Sequence, residues 1–155
     1  MRAQKSGHII NISSMGRRLT TYFGAWYHPT KYALEAFSDA LRMEVEEFGI
    51  EVSIIEPGGI KTDWGIIAAD KLADSTKGGA YEATAMKVTQ SMKKQYHSNM
   101  LSNPMVVTKA NSKAIDSNKP KPRYLTGFAA KPLEFLHAIL PTKVFDKMMK
   151  ASNSI

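Results

Sequence analysis

Lys31 follows Tyr27 by four residues, and Ser14 precedes Tyr27 by thirteen. On a helix, positions i and i+4 lie on one face a turn apart, so this phenol and this ammonium share one small volume. A cation beside a phenol favours the phenolate, which suits Tyr27 to pass a proton on and take it back. Ser14 closes a short apolar run and adds a third polar group. Together they form a candidate Ser/Tyr/Lys proton-transfer site. Taken singly, each has an ordinary explanation: a tyrosine near a helix start usually packs with its hydroxyl in water, and a serine after a strand usually serves a turn or a cap.

The elements that must position these groups are short and legible. His8 to Ser13, HIINIS, holds three isoleucines in six positions and reads as a strand buried on both faces of a parallel sheet. Met15 to Ala25 lacks helical periodicity and reads as a loop. From about Ala25 to Phe48 the pattern is helical, and Pro29, tolerated only in a first turn, sets the start near Trp26. Tyr27, Leu34, Phe37, Leu41, Val45 and Phe48 form the inward stripe, Glu35, Asp39, Arg42 and Glu46 the outer face, and Gly49 the C-terminal stop. Glu51 to Glu56, EVSIIE, is a second strand closed by Pro57-Gly58-Gly59. Strand, crossover helix and strand make a βαβ unit with both strands parallel. Ser14 and the Pro57 to Thr62 turn then fall on one sheet edge, where open α/β sheets bind ligands.

Residues 63–80 read as a mobile loop with a helical turn near Trp64 to Ala69, and Tyr81 to Met100 reads as a helix. Its methionines are core filler, or else a flexible lid over a greasy substrate, so residues 63–103 form a loop and lid region. Pro104 starts a helix to about Ser117, residues 118–122 are a linker, and Arg123 to Thr126 is a third strand. Pro132 to Met149 gives two short amphipathic helices broken at Pro141, expected to pack against the domain. The domain reading is residues 1–130 as a partial catalytic domain, with a βαβ core at 7–62, and residues 131–155 as a helical tail.

At 155 residues the chain has room for one domain. Cysteine is absent, which removes disulfides, thiolate chemistry and cysteine-ligated zinc. The four histidines, 8, 28, 97 and 137, lack metal-ligand spacing, so no metal site is expected. No apolar run approaches the ~20 residues of a membrane span, and a cytoplasmic, soluble chain is expected. The net charge of +7 sits in the second half: residues 83–155 hold twelve basic and three acidic side chains. Those lysines are scattered singly and not interleaved with aromatics, so a solvated face is expected and no nucleic-acid partner.

Asn-Ile-Ser13-Ser14, Tyr27-x-x-x-Lys31 and Pro57-Gly58-x-Ile60-x-Thr62, in this order and spacing, resemble the short-chain dehydrogenase/reductase family over roughly residues 6–62. The tail, with Arg-Tyr-Leu-Thr-Gly and Leu-Pro before an apolar helix, is similar to the hydroxysteroid- and retinol-dehydrogenase-like branch. The resemblance implies a doubly wound, Rossmann-like parallel α/β sheet and a nicotinamide cofactor, NAD or NADP. Tyr27 is then the acid/base, Lys31 the holder of the nicotinamide ribose, and Ser14 the hydrogen-bond donor to the substrate oxygen. Pro57 and Gly58 shape the turn that receives the nicotinamide, with the Ile60 backbone and the Thr62 hydroxyl on its carboxamide. The implied reaction moves a hydride between the cofactor and an alcohol or carbonyl of a small, largely apolar substrate.

The family's first half has no counterpart in these residues: neither its Thr-Gly-x-x-x-Gly-x-Gly phosphate loop nor its Asn-Ala-Gly strand motif is present. The expectation is therefore the C-terminal part of the sheet, with weak cofactor binding and the His8 to Ser13 strand as an unpaired apolar edge. A homo-oligomer through the Tyr27 to Phe48 helix, where Ala33, Ala36 and Ala40 permit close approach, or a complementing N-terminal half would cover such surfaces. The rival reading is a non-catalytic interaction module that pairs with another chain through this edge and the basic half.

Overall fold

A computed structural model describes residues 1–153. Three parallel strands, β1 (Gly7–Ile12), β2 (Ile50–Pro57) and β3 (Arg123–Thr126), lie in the order β1-β2-β3. Ile12 pairs with Ile55, and Ile55 with Tyr124, so the C-terminal ends of all three strands reach the same edge.

β2 is the buried centre, with Val52, Ser53, Ile54, Ile55 and Glu56 all closed off from solvent. A parallel strand covered on both faces shows continuous burial of this kind. β1 does not: its residues are half-buried and Ile12 is 43% exposed, because β1 pairs only with β2 among the described residues. The expected double burial of β1 is corrected by its place at the sheet edge.

Between β1 and β2 runs α1 (Tyr27–Val45), extended by a 3-10 turn (Glu46–Phe48) and stopped by Gly49 at φ 65°. Its rotation differs from the expected one. Glu35, Ser38 and His28 are buried with Leu34, Leu41 and Val45 beside them, while Phe37 is 58% exposed. The hydrophobic stripe predicts Phe37 inside and Glu35 outside. Glu35 faces inward because its carboxylate accepts from the Nε of Arg123 at 3.2 Å and lies 3.8 Å from the Nε of Arg17. Paired charge outweighs one phenyl ring, which on this helix lies one residue step, about 100°, off the Ser38 position.

Residues 63–80 are also corrected. α2 (Trp64–Thr76) is a full helix, since its run of Ala, Leu, Ile and Lys is helix-forming and its flanking Gly78 and Gly79 fall beyond the end. α2 packs on α3 (Glu82–His97) around the small buried residues Ala69, Ala85, Val88 and Thr89. Met86 and Met100 are exposed and fill no core. α4 (Met105–Ile115) lies against β2 and β3. After β3, α5 (Ala130–Ile139) and α6 (Thr142–Ser152) break at Pro141, and Phe145 of α6 is buried edge-on to His137 of α5. No helix among the described residues is long and apolar enough to cross a membrane.

Candidate active site

The edge where β1 and β2 end carries every residue singled out for chemistry. Ser14 caps the 3-10 turn Met15–Arg17, and its Oγ accepts a hydrogen bond from the Gly16 amide at 3.0 Å. Its hydroxyl proton is therefore free to donate elsewhere.

Tyr27 is the first residue of α1, and its ring lies against Gly16: a Cβ on that glycine would sit 3.2 Å from the ring. Gly16 thus links Tyr27 to the turn that Ser14 caps. The Lys31 ammonium stands 5.9 Å from the centroid of the Tyr27 ring and donates to the Ile12 carbonyl at 3.3 Å. Helix spacing brings the phenol and the cation together, and the strand end holds the cation with one of its three protons. The Tyr27 hydroxyl makes no hydrogen bond to another described residue.

The Pro57 to Thr62 turn is pinned from its far side. Gly58 donates its amide to Thr126 at 2.7 Å, Gly59 to Phe128 at 2.9 Å, and Lys61 to Ser102 at 2.9 Å. Side chains on Gly58 would strike the Phe128 carbonyl, so this residue must be glycine for the β3 loop to approach. Thr62 is exposed at the end of the turn, Ile60 half-buried, and the Thr62 hydroxyl bonds to no other described residue. Sequence reasoning missed Ser102 and Phe128, whose backbone contacts carry no side-chain signal.

It also missed the aromatic wall. Trp64, just past the turn, lies 5.3 Å from the Tyr27 ring, and Tyr96 of α3 packs directly on Gly65. Burial, then the nearby Tyr27, pushes the Tyr96 phenol above its ordinary 10.0. Trp64, itself 51% exposed, and Tyr96 thus form an aromatic flank beside Tyr27. Among the described residues no group of three or more histidines or carboxylates could hold a metal ion.

A parallel sheet with a Ser/Tyr/Lys set and a proline-glycine turn at its C-terminal edge defines a class, and sequence comparison places the chain in it. The family model for short chain dehydrogenases matches residues 1–71. The chain belongs to the short-chain dehydrogenase/reductase family. It is 34% identical over 157 residues to the 17-beta-hydroxysteroid dehydrogenase type 6 of Rattus norvegicus, covering 94% of this chain and 48% of that protein. It is 36% identical over 159 residues to the retinol dehydrogenase 7 of the same organism, covering 92% and 47%. A probable short-chain type dehydrogenase/reductase, VdlC of Helicobacter pylori, is 33% identical over 145 residues, covering 92% and 51%. The solved structure of a short-chain dehydrogenase from Streptomyces avermitilis superposes with a TM-score of 0.63 at 28% identity, covering 98% of this chain and 55% of that one. The chain thus spans about half the length of the curated relatives it matches.

Proposed function

We propose that this chain carries the proton-transfer side of a nicotinamide-dependent oxidoreductase site acting on an alcohol or carbonyl of a largely apolar molecule. The observation behind it is the Tyr27 hydroxyl, unbonded to any described residue, with Gly16 and the Ser14 turn on one side and the Lys31 ammonium 5.9 Å from its ring.

The residues fit the nicotinamide end of NAD or NADP: Thr62 and Lys31 retain free donors, and the turn between Pro57 and Thr62 is held rigid by β3 and Ser102. When bound, that group supplies or accepts the hydride. Tyr27 gives its hydroxyl proton to the substrate oxygen in reduction and takes it back in oxidation. Ser14 donates to the same oxygen as charge grows on it. Lys31 would hold the ribose, and the Ile60 backbone and Thr62 hydroxyl would hold the carboxamide. Trp64 and Tyr96 offer an aromatic surface beside Tyr27, which suits an apolar substrate; the hydroxysteroid and retinol names of the relatives agree with that class. These 155 residues contain no glycine-rich phosphate loop, so on their own they bind the cofactor weakly.

The test is turnover of an apolar secondary alcohol by the purified chain, with NADH binding followed by its fluorescence. Tyr27→Phe is expected to lower turnover by about 10²–10⁴-fold with the circular dichroism spectrum unchanged. Wild-type turnover in that variant overturns the assignment, and micromolar or tighter NADH binding overturns weak cofactor affinity.

A second reading, compatible with the first, is self-association. Trp26 (90% exposed), Phe37 and Met43 share the outer side of α1 with Ala33, Ala36 and Ala40. An apolar helix face with small residues at its centre pairs well with a twin in a second copy.

A further inference from the structure

Arg17 and Glu56 are 7% and 1% exposed, and neither takes part in the proton transfer described above. Each nevertheless sits beside a part of the site. Arg17 is the third residue after Ser14, and Glu56 immediately precedes Pro57.

Their side chains meet as a fork. Arg17 Nε lies 2.8 Å from Glu56 Oε1, and Arg17 Nη2 donates to Glu56 Oε2 at 3.0 Å. Contact at two points between planar groups limits both distance and angle, although only the Nη2 contact is an aligned hydrogen bond and the Nε contact is a close pairing of charge. Arg123 brings its Nε to 3.1 Å from the same Oε1, and its Nη2 donates to Asp39 of α1 at 2.6 Å. Arg17 also reaches Glu134 on α5, and lies 3.8 Å from Glu35, one helical turn beyond Lys31. In all, Arg17, Arg18, Arg42 and Arg123 face Glu35, Asp39, Glu56 and Glu134, so the cluster is electrically balanced.

Apolar residues of equal volume would hold these elements together as well as a buried ion pair does, or better. What the fork adds is a defined separation between two loop ends. We propose that Arg17 and Glu56 are a positioning pair, which sets the loop carrying Ser14 at a fixed spacing from the turn at Pro57 to Thr62. The pair rests on the function proposed above, since it positions the substrate-oxygen donor against the nicotinamide-receiving turn. Neither residue touches substrate or cofactor.

Two conservative variants of the full chain test it. Arg17→Lys keeps the charge and loses the fork; Glu56→Gln keeps the shape and loses the charge. Hydrogen exchange followed by mass spectrometry is expected to rise about tenfold at residues 13–18 and 57–62 together in either variant, with α3 and α4 unchanged. In turnover of an apolar secondary alcohol, kcat is expected to fall about 10²-fold, as for misplaced reacting groups, with KM within a factor of about two. The double variant should be no worse than the single ones. Faster exchange in only one segment, or uniformly along the chain, overturns the pair, as does a raised KM at unchanged kcat. If the wild-type chain shows no turnover while the two segments still loosen together, the proposed function fails and the coupling stands. Normal turnover with unchanged exchange in both variants sinks the pair alone.

Discussion

The backbone amide of Thr21 donates a hydrogen bond to Nε2 of His28 across 3.0 Å. On the other side of the ring, Nδ1 of His28 lies 2.9 Å from the Gly16 carbonyl. An acceptor at Nε2 and a carbonyl facing Nδ1 define one tautomer: Nδ1 carries the proton and the ring is neutral. The ring also occupies the space a side chain on Gly24 would need, so the loop from Gly16 to Gly24 closes around it. His28 thereby ties that loop to the first turn of α1, next to Tyr27.

Replacing His28 with phenylalanine keeps a ring and leaves the Thr21 amide and the buried Gly16 carbonyl without their partner. The expected cost is about 2 kcal/mol or more. Urea denaturation measures it, and a two-bond proton–nitrogen correlation spectrum of the wild type should show Nδ1 protonated and Nε2 bare.

Gly65 has no room for a methyl group, because the Tyr96 ring lies on its Cα. Gly65→Ala must push Tyr96 away, at an expected cost of about 1–3 kcal/mol in stability. The aromatic wall beside Tyr27 shifts with it. A melting temperature equal to that of the wild type would show that the ring yields freely.

Arg123 sits between two carboxylates that titrate in opposite senses. Burial raises Glu56 above its ordinary 4.5 more than Arg17 and Arg123 lower it. Burial also acts upward on Asp39, but hydrogen bonds from Arg123 and Arg42 outweigh it and hold this carboxyl below its ordinary 3.8. Glu56 therefore contributes stability that is complete below pH 4.5 and lost as pH rises through its raised value. Asp39 contributes stability present above pH 3.8 and lost as pH falls through its lowered value. Glu56→Gln should flatten the stability profile above the first limit, and Asp39→Asn the profile below the second. The Asp39 effect stays under about 1 kcal/mol, because solvent screens a side chain this exposed. Denaturation midpoints across the acid range would expose a wrong sign at once.

Phe37→Lys places a charge at the centre of the exposed face of α1. If that face joins two copies, sedimentation velocity should show the variant as a monomer at concentrations where the wild type associates. The fold should be untouched, since Phe37 packs little against its own chain. A wild type that sediments as a monomer at every concentration removes the self-association reading.

Most of the elements were legible from local patterns. Three isoleucines between glycine and serine, Pro29 in a first turn, Gly49 at a helix end and Pro141 between helices are each read within a few neighbouring residues. α2 was not, because three glycines in residues 63–80 suggest a loop and only their positions, one in the first turn and two past the end, show that they leave the helix intact.

The spacing of Ser14, Tyr27 and Lys31 and the Pro57 to Thr62 turn were likewise determined by the sequence alone: helix pitch and parallel strand ends carry such groups to one edge whatever packs around them. Only the tertiary structure decided which way α1 turns and what holds the edge rigid. Arg17 finds Glu56 across 39 residues and Arg123 finds Glu35 across 88, and a buried charge leaves no periodic trace in the residues beside it. Its cost in an apolar interior is met by a partner that only the folded chain brings near.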